Sequence, residues 1–262
     1  ATTPEWGMVE AYSVGRQSTG HYVTTGYGRR APSGTVDLVS FRYTATGERD
    51  LNWGTDGVAL LDLVGDNERG RSLVVLGDDR VCHAGSGTPV AGKISAMVYM
   101  TGANGRVDTA FAAEGYKLYD FERPEQAFFG VAASPDGNWV AAAGYRAGGN
   151  QDDDAVLALI PVKAGAGPEV AKAVPVSETE NDRFWAVAFD SQNRAYGAGF
   201  VTEGGDNRML VARYTTAGAL DTTFGTGGIV KLNLVTAKTE EAVRGIAILP
   251  DGKIVITGSI EK

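Results

Sequence analysis

A single cysteine, Cys82, and two histidines, His21 and His83, are all that this chain of 262 residues offers to thiol and imidazole chemistry. One cysteine excludes an intrachain disulfide. The histidines stand in no HxH or HExxH context, so neither announces a metal centre. Basic residues are scarce too: 24 Lys and Arg face 32 Asp and Glu, for a net charge of −8. Phosphate backbones and anionic bilayers demand a basic face, which argues against nucleic acid and membrane surfaces as partners. No apolar run approaches the roughly 18 residues of a membrane span. No segment carries helical periodicity of useful length. A G-x-S-x-G elbow and a Ser/His/Asp order are also missing. The chain opens on "ATTPEW" without a start methionine and reads as a mature or trimmed product.

Glycine is what the chain has in excess. Its 36 glycines are about twice the usual share, which points to many tight turns between short strands. They fall at regular intervals. "EAYSVGRQSTGHYVTTG", "RGRSLVVLGDDRVCHAG", "AFFGVAASPDGNWVAAAG", "RFWAVAFDSQNRAYGAG" and "AVRGIAILPDGKIVITG" align as five copies. They close on Gly26, Gly85, Gly144, Gly199 and Gly258, separated by 59, 59, 55 and 59 residues. A second half-unit recurs as well. "VDLVSFRYTATGERDLNWGTDGVALLDL" matches "NRMLVARYTTAGALDTTFGTGGIVKLNL", and "AMVYMTGANGRVDTAFAAEGYKL" is a worn copy. In these, Trp53, Phe111 and Phe224 stand six positions after Gly47, Gly105 and Gly218 and read as structural packing at a repeated turn. The copy "DAVLALIPVKAGAGPEVAKAV" keeps its first strand and loses the aromatic turn.

Each unit thus offers four short strands, two of them flanking a Pro-Asp-Gly-type hairpin turn. Four strands at a fixed period with glycine and aromatic marks predict an all-β fold, a β-propeller of four-stranded blades. The chain 1–262 reads as a single propeller domain with repeats at about 7–63, 64–121, 122–179, 180–234 and 235–262. Five first half-units and only four second ones leave the count short. The expectation is five blades, the last incomplete or completed by the N-terminal segment, with further repeats outside this chain as the alternative.

Two aligned columns refine the repeat. Ser13, Ser72, Gly130, Ala186 and Gly245 are all small, as strands that crowd together require. The residues before them, Tyr12, Arg71, Phe129, Trp185 and Arg244, are large, and strand alternation sends them to the opposite side. Aromatics and arginine are enriched at binding hot spots, which makes this column the candidate binding surface; interblade packing is the plainer reading. The run Asp152, Asp153 and Asp154 is the candidate for calcium, because hard cations collect carboxylate oxygens. Asp154 also falls where other repeats carry Asp37 and Asn207, so turn capping explains it equally well. No other cofactor is indicated. The glycines of "LDTTFGTGGIV" resemble a phosphate loop, but the strand-like "IVKLNL" follows where a helix should open. Cys82 reads as a small core residue.

"RYTTAGALDTTFGTGGIVKLNL" followed by "EEAVRGIAILPDGKIVITGS" resembles the delta-60 repeat, a bacterial β-propeller repeat marked by Leu-Asp-x-x-Phe-Gly-x-x-Gly and then Pro-Asp-Gly-Lys-Ile. Residues 207–258 carry the resemblance closely, residues 36–63 well, and the rest as a pattern. It implies a bacterial protein of the cell surface, periplasm or exterior, and it brings no catalytic residues. The expected function is therefore a non-enzymatic extracytoplasmic β-propeller that binds a protein or glycan or serves as a surface or assembly module. The competing class is a propeller enzyme of glycosidase or lyase type, with Asp and Glu of three or more blades gathered at one channel mouth. Self-assembly through open strand edges near 7–14 or 254–262 is a third option.

Overall fold

The computed structural model describes residues 6–30, 34–63, 67–148, 152–174, 176–235 and 238–261. Among these residues there are nineteen strands and no helix. The chain divides into two compact units, Ala1–Asp120 and Phe121–Lys262.

The first unit holds two blades. Blade 1 consists of β1 (Trp6–Arg16), β2 (Tyr22–Arg30), β3 (Val36–Ser40), β4 (Arg42–Tyr43) and β5 (Ala59–Leu61), paired in the order β1-β2-β3-β5 with β4 continuing beside β2. Blade 2 is the four-stranded meander β6 (Arg69–Val75), β7 (Val81–Val90), β8 (Lys93–Thr101) and β9 (Tyr116–Tyr119). Val23, Trp53, Ala59, Leu73 and Val81 form one buried cluster across them, with Trp53 fully buried. A repeated-turn aromatic is thus a core residue here.

The second unit holds three. Blade 3 is β10 (Gln126–Ala133), β11 (Trp139–Arg146), β12 (Asp154–Pro161) and β13 (Val170–Ala173). Blade 4 is β14 (Asp182–Phe189), β15 (Ala195–Glu203), β16 (Asp206–Tyr214) and β17 (Ile229–Leu232). Blade 5 has only β18 (Glu240–Ile248) and β19 (Ile254–Glu261). In blades 3 to 5 the pairings are antiparallel between consecutive strands, the short-hairpin topology that "PDG" and its counterparts predict. The residues Ala155–Ile160 of β12 are buried without interruption, with Ala155, Leu157 and Leu159 in the core shared with blade 4. Leu157, Leu159, Phe184, Leu210 and Tyr214 join blades 3 and 4 in one core; Tyr196, Met209, Val211 and Val243 join blades 4 and 5.

These sheets are β-propeller blades, four complete and one half-built. The first strand β1 pairs with β2 in its own blade, and β18 and β19 form a two-stranded sheet. Of the two endings anticipated for the fifth blade, the incomplete one is therefore present among the described residues.

The first hairpin of every blade contains the same irregularity. Register slips by one residue between Ala11/Ser13, Gly70/Ser72, Phe128/Gly130, Phe184/Ala186 and Val243/Gly245. The extra residue of each bulge is Tyr12, Arg71, Phe129, Trp185 or Arg244, the whole large column. Strand alternation assigned this column to the side opposite its small neighbours, and that rule does not run through a bulge, where two residues oppose one. The bulge also explains the glycine period. At the partner position, a Cβ on Gly26, Gly85, Gly144, Gly199 or Gly258 would lie 1.7–1.9 Å from the carbonyl oxygen of the strand opposite. Only a residue without a side chain allows the bulged backbone to come so close.

Candidate functional site

The bulge residues meet across blade junctions. In the first unit, the Arg71 guanidinium lies 4.8 Å above the Tyr12 ring. In the second, the Phe129 and Trp185 centroids are 4.5 Å apart, and Arg244 sits 4.5 Å over the other partner of that pair, Trp185. The small column permits this approach. A Cβ on Gly130 would come within 2.9 Å of the Ala186 Cα, and the Leu73 N–H donates to Ser13 Oγ at 3.2 Å. The candidate binding column is thus a row of cation–π and aromatic contacts between neighbouring blades. It is uneven: Tyr12 is 46% exposed and Arg244 is exposed, whereas Phe129 and Trp185 are half-buried.

A measurable difference follows. Trp185→Ala is expected to destabilise the protein by about 2–3 kcal/mol, and Tyr12→Ala by less than about 1 kcal/mol. Urea denaturation of the two variants compares them, and equal losses would contradict a packing role for Trp185.

A second row runs beside the first. The residue after each closing glycine is Tyr27, Tyr145 or Phe200 in blades 1, 3 and 4. Arg69 of blade 2 lies 4.8 Å over Tyr27, and Arg183 of blade 4 lies 4.1 Å over Tyr145. Each of these arginines has an acid from the preceding blade. Arg183 Nε donates to Asp153 Oδ2 at 2.7 Å. Arg69 adds to the pull that the Tyr27 and Tyr12 hydroxyls exert on Glu10, whose carboxyl is held below its usual range.

At the junction of blades 4 and 5 a groove of about 240 Å³ opens, lined by Arg183, Trp185, Phe200, Asn207, Ala242 and Arg244 among others. Glu240 and Glu261 line it too, and they are direct cross-strand partners. An adjoining groove of about 470 Å³ shares Asn207, Glu240 and Glu261 and adds Lys238 and Thr239. The Trp185 indole N–H and the hydroxyl of the buried Thr239 have no hydrogen-bond partner among the described residues.

Residues 149–151 of the acidic run lie outside the described residues. Asp153 is held by Arg183, and the Arg146 Nε donates to Asp154 Oδ2 at 2.7 Å. Two of the three candidate calcium ligands therefore carry an arginine each. The acids that do converge are others: oxygens of Asp37, Asp62 and Glu68 lie within 4.8 Å of one another, the only such group of three among the described residues. They come from two adjacent blades.

Glu68 belongs to a column that the sequence reading passed over. Three positions before the bulge residue stand Glu68, Gln126, Asp182 and Glu241 in blades 2 to 5, and all four are fully buried. Each accepts at least one backbone N–H of the segment leading into its strand, and Glu68 and Asp182 also accept one from a neighbouring strand, β7 and β12. Leu63 and Thr88 donate to Glu68; Phe121 donates to Gln126; Val176, Ser177 and Ala155 donate to Asp182; Leu234 and Val235 donate to Glu241. The column satisfies amides that would otherwise be stranded where one blade passes to the next. Burial pushes the Glu68 carboxyl up to about 7, with Asp37 and Asp62 adding repulsion against the two amide donors. Burial likewise raises Asp182 to about 7, with Asp154 adding to it. A signal for this column exists in the sequence, an acid or amide three positions before the bulge residue in blades 2 to 5, with Val9 in blade 1.

The chain's remaining titratable curiosities are core residues. Cys82 is fully buried and its thiol is pushed up to about 12 by burial. His83 stacks on Tyr99, and burial pushes it down to about 3. In "LDTTFGTGGIV", Gly225 has φ 53° and a Cβ there would lie 2.2 Å from the Ile229 carbonyl, as one on Gly54 would from Val58. The glycines shape a turn between β16 and β17.

Blade topology and bulge pattern together define a β-propeller protein with an interblade groove in its second unit. Residues 196–224 match a family described as a domain of unknown function (DUF5122) beta-propeller. No curated protein sequence matches the chain. Among solved structures, the chain is similar to the periplasmic gluconolactonase of Pseudomonas aeruginosa at 14% identity and a TM-score of 0.49, covering 94% of this chain and 65% of that one. It is similar to a catalytically inactive virginiamycin B lyase from Staphylococcus aureus at 13% identity and a TM-score of 0.38, covering 95% and 84%. A glucose dehydrogenase matches at 12% identity and a TM-score of 0.46, covering 96% and 80%.

Proposed function

We propose that the protein is a non-enzymatic β-propeller that binds a partner in the groove between its fourth and fifth blades. One observation carries this reading. The row of interblade contacts is complete at the Tyr27–Arg69 and Tyr145–Arg183 positions and gives way to a groove at Phe200. Exposed Arg244, unpartnered Trp185 Nε1 and two facing glutamates gather there. Aromatic and arginine side chains at the edge of a concave surface are the usual anchors of recognition. The resemblance to the bacterial repeat supports an extracytoplasmic setting.

Recognition in this groove is expected to move the Trp185 indole N–H resonance, assigned with Trp185→Phe. The probes are a basic peptide, an acidic peptide and a neutral oligosaccharide, each titrated into ¹⁵N-labelled protein. Shifts confined to residues around Asp37, Asp62 and Glu68 would move the function away from the groove and towards carboxylate chemistry. Silence from all three probes would overturn the binding reading.

A further inference from the structure

Resting on the reading of that groove as a binding site, we infer that it takes a guanidinium group, the side chain of an arginine presented by a partner polypeptide. Tyr27, Tyr145 and Phe200 occupy one repeat position, directly after the closing glycines Gly26, Gly144 and Gly199. The residue that caps the ring comes from the next blade, two positions before its bulge residue: Arg69 before Arg71, Arg183 before Trp185. Those guanidinium groups lie 4.8 and 4.1 Å from their ring centroids. Before Arg244 the same position is Ala242, and the groove of about 240 Å³ opens there with Phe200 and Ala242 in its wall. A methyl group stands where the junctions of blades 1 and 2 and of blades 3 and 4 place a cation over an aromatic face; before Phe129 the position is also alanine, Ala127, but there the residue after the closing glycine is Ser86 and offers no ring.

Charge completes the case. Each internal capping arginine has an acid nearby, Asp153 for Arg183 and Glu10 for Arg69. At the open position that part falls to Glu240 and Glu261, which line the groove and have no ion-pair partner among the described residues. They face each other directly across β18 and β19, an arrangement of like charges that is unfavourable until a cation enters. Arg183 is neutralised by Asp153, and Arg244 is drawn onto the Trp185 ring. Within the 240 Å³ groove the two glutamates outnumber the one arginine that has no acid, Arg244, while Lys238 lines the adjoining groove; a positive group entering beside Phe200 therefore meets two carboxylates. A planar guanidinium can stack on Phe200 and donate to both carboxylates at once, which a lysine ammonium does less well.

Acetyl-Gly-Arg-Gly-amide tests this against the isosteric neutral acetyl-Gly-citrulline-Gly-amide, with Trp185 and Ala242 resonances as the readout. The arginine peptide is expected to bind at least about tenfold more tightly than the citrulline peptide and to weaken severalfold in about 0.5 M salt. Glu240→Gln combined with Glu261→Gln should reduce its affinity by about fivefold or more. Ala242→Arg should abolish binding while leaving the thermal midpoint unchanged or raised, because it restores the cap that other junctions carry. Equal binding of arginine and citrulline peptides, or undiminished binding to Ala242→Arg, overturns the inference. If a neutral oligosaccharide or the citrulline peptide moves the same resonances, the groove still binds and only the guanidinium assignment falls. If none of the probes moves them, both readings fall.

Discussion

Gly144→Ala should destabilise the second unit by about 3–5 kcal/mol, far more than a glycine-to-alanine change in a strand commonly costs. The new Cβ would lie 1.8 Å from the Ala127 carbonyl oxygen and 2.8 Å from the Phe128 Cα. Neither contact can be relieved by a side-chain rotation, since both neighbours are backbone. The strands must separate locally, and the bulge hydrogen bonds on either side of Phe129 go with them. Gly227→Ala is the matched control. Gly227 has φ 63° but open space where its Cβ would go, so the change should cost only about 1–2 kcal/mol of left-handed strain. Chemical denaturation of the two variants separates backbone collision from backbone strain. A smaller loss for Gly144→Ala than for Gly227→Ala would refute the bulge explanation of the glycine period.

The second large effect is one of pH. Glu68 and Asp182 have folded-state pKa values near 7 because burial disfavours their charge. Unfolded, they titrate near 4. Between these values the folded protein keeps protons that the unfolded chain has released. Their contribution is therefore complete below about pH 4 and is lost as pH rises through about 7, on the order of 3 kcal/mol for each group. Asp50, Asp190 and Asp221 work the other way. Their carboxyls are held below the usual range by amide, arginine or hydroxyl partners, so their contribution fades as pH falls through their lowered values. Stability should peak at about pH 4.5–6 and be distinctly lower at pH 8. Asp182→Asn should flatten the alkaline arm, at some cost from leaving one of three amide donors without an acceptor. Denaturation at pH 5, 6.5 and 8 measures both. Equal stability at pH 5 and 8 would mean that these carboxylates are ionised and well compensated in the fold.

The propeller was readable because its period rests on backbone geometry. A closing glycine is dictated by a close approach that no side chain survives, so it recurs at Gly26, Gly85, Gly144, Gly199 and Gly258 while the rest of the strand drifts. The bulge beside it was not readable. Period-two alternation is a property of regular strands, and nothing in "AYSV" or "RFWAV" marks the residue that falls out of register. The buried column Glu68, Gln126, Asp182 and Glu241 was hidden for a different reason. Polar residues at a strand entrance look like solvated loop until their amide donors are seen. The groove depends on Ala242, whose meaning emerges only when Phe200 of the preceding blade is placed beneath it. Such a vacancy is a relation between blades about forty residues apart in the chain and leaves no local trace.

A residue that lies outside the hydrogen-bond register contributes through what its side chain packs against and not through the strand ladder. Tyr12, Arg71, Phe129, Trp185 and Arg244 occupy one backbone position with four different side chains, and the strand pairing on either side is the same in all five blades. Sequence change at that position is decoupled from the ladder, so each blade can acquire a new surface chemistry by a single substitution. The propeller in this view is a row of interchangeable mounts, and at the fourth-to-fifth junction the mount borders a groove.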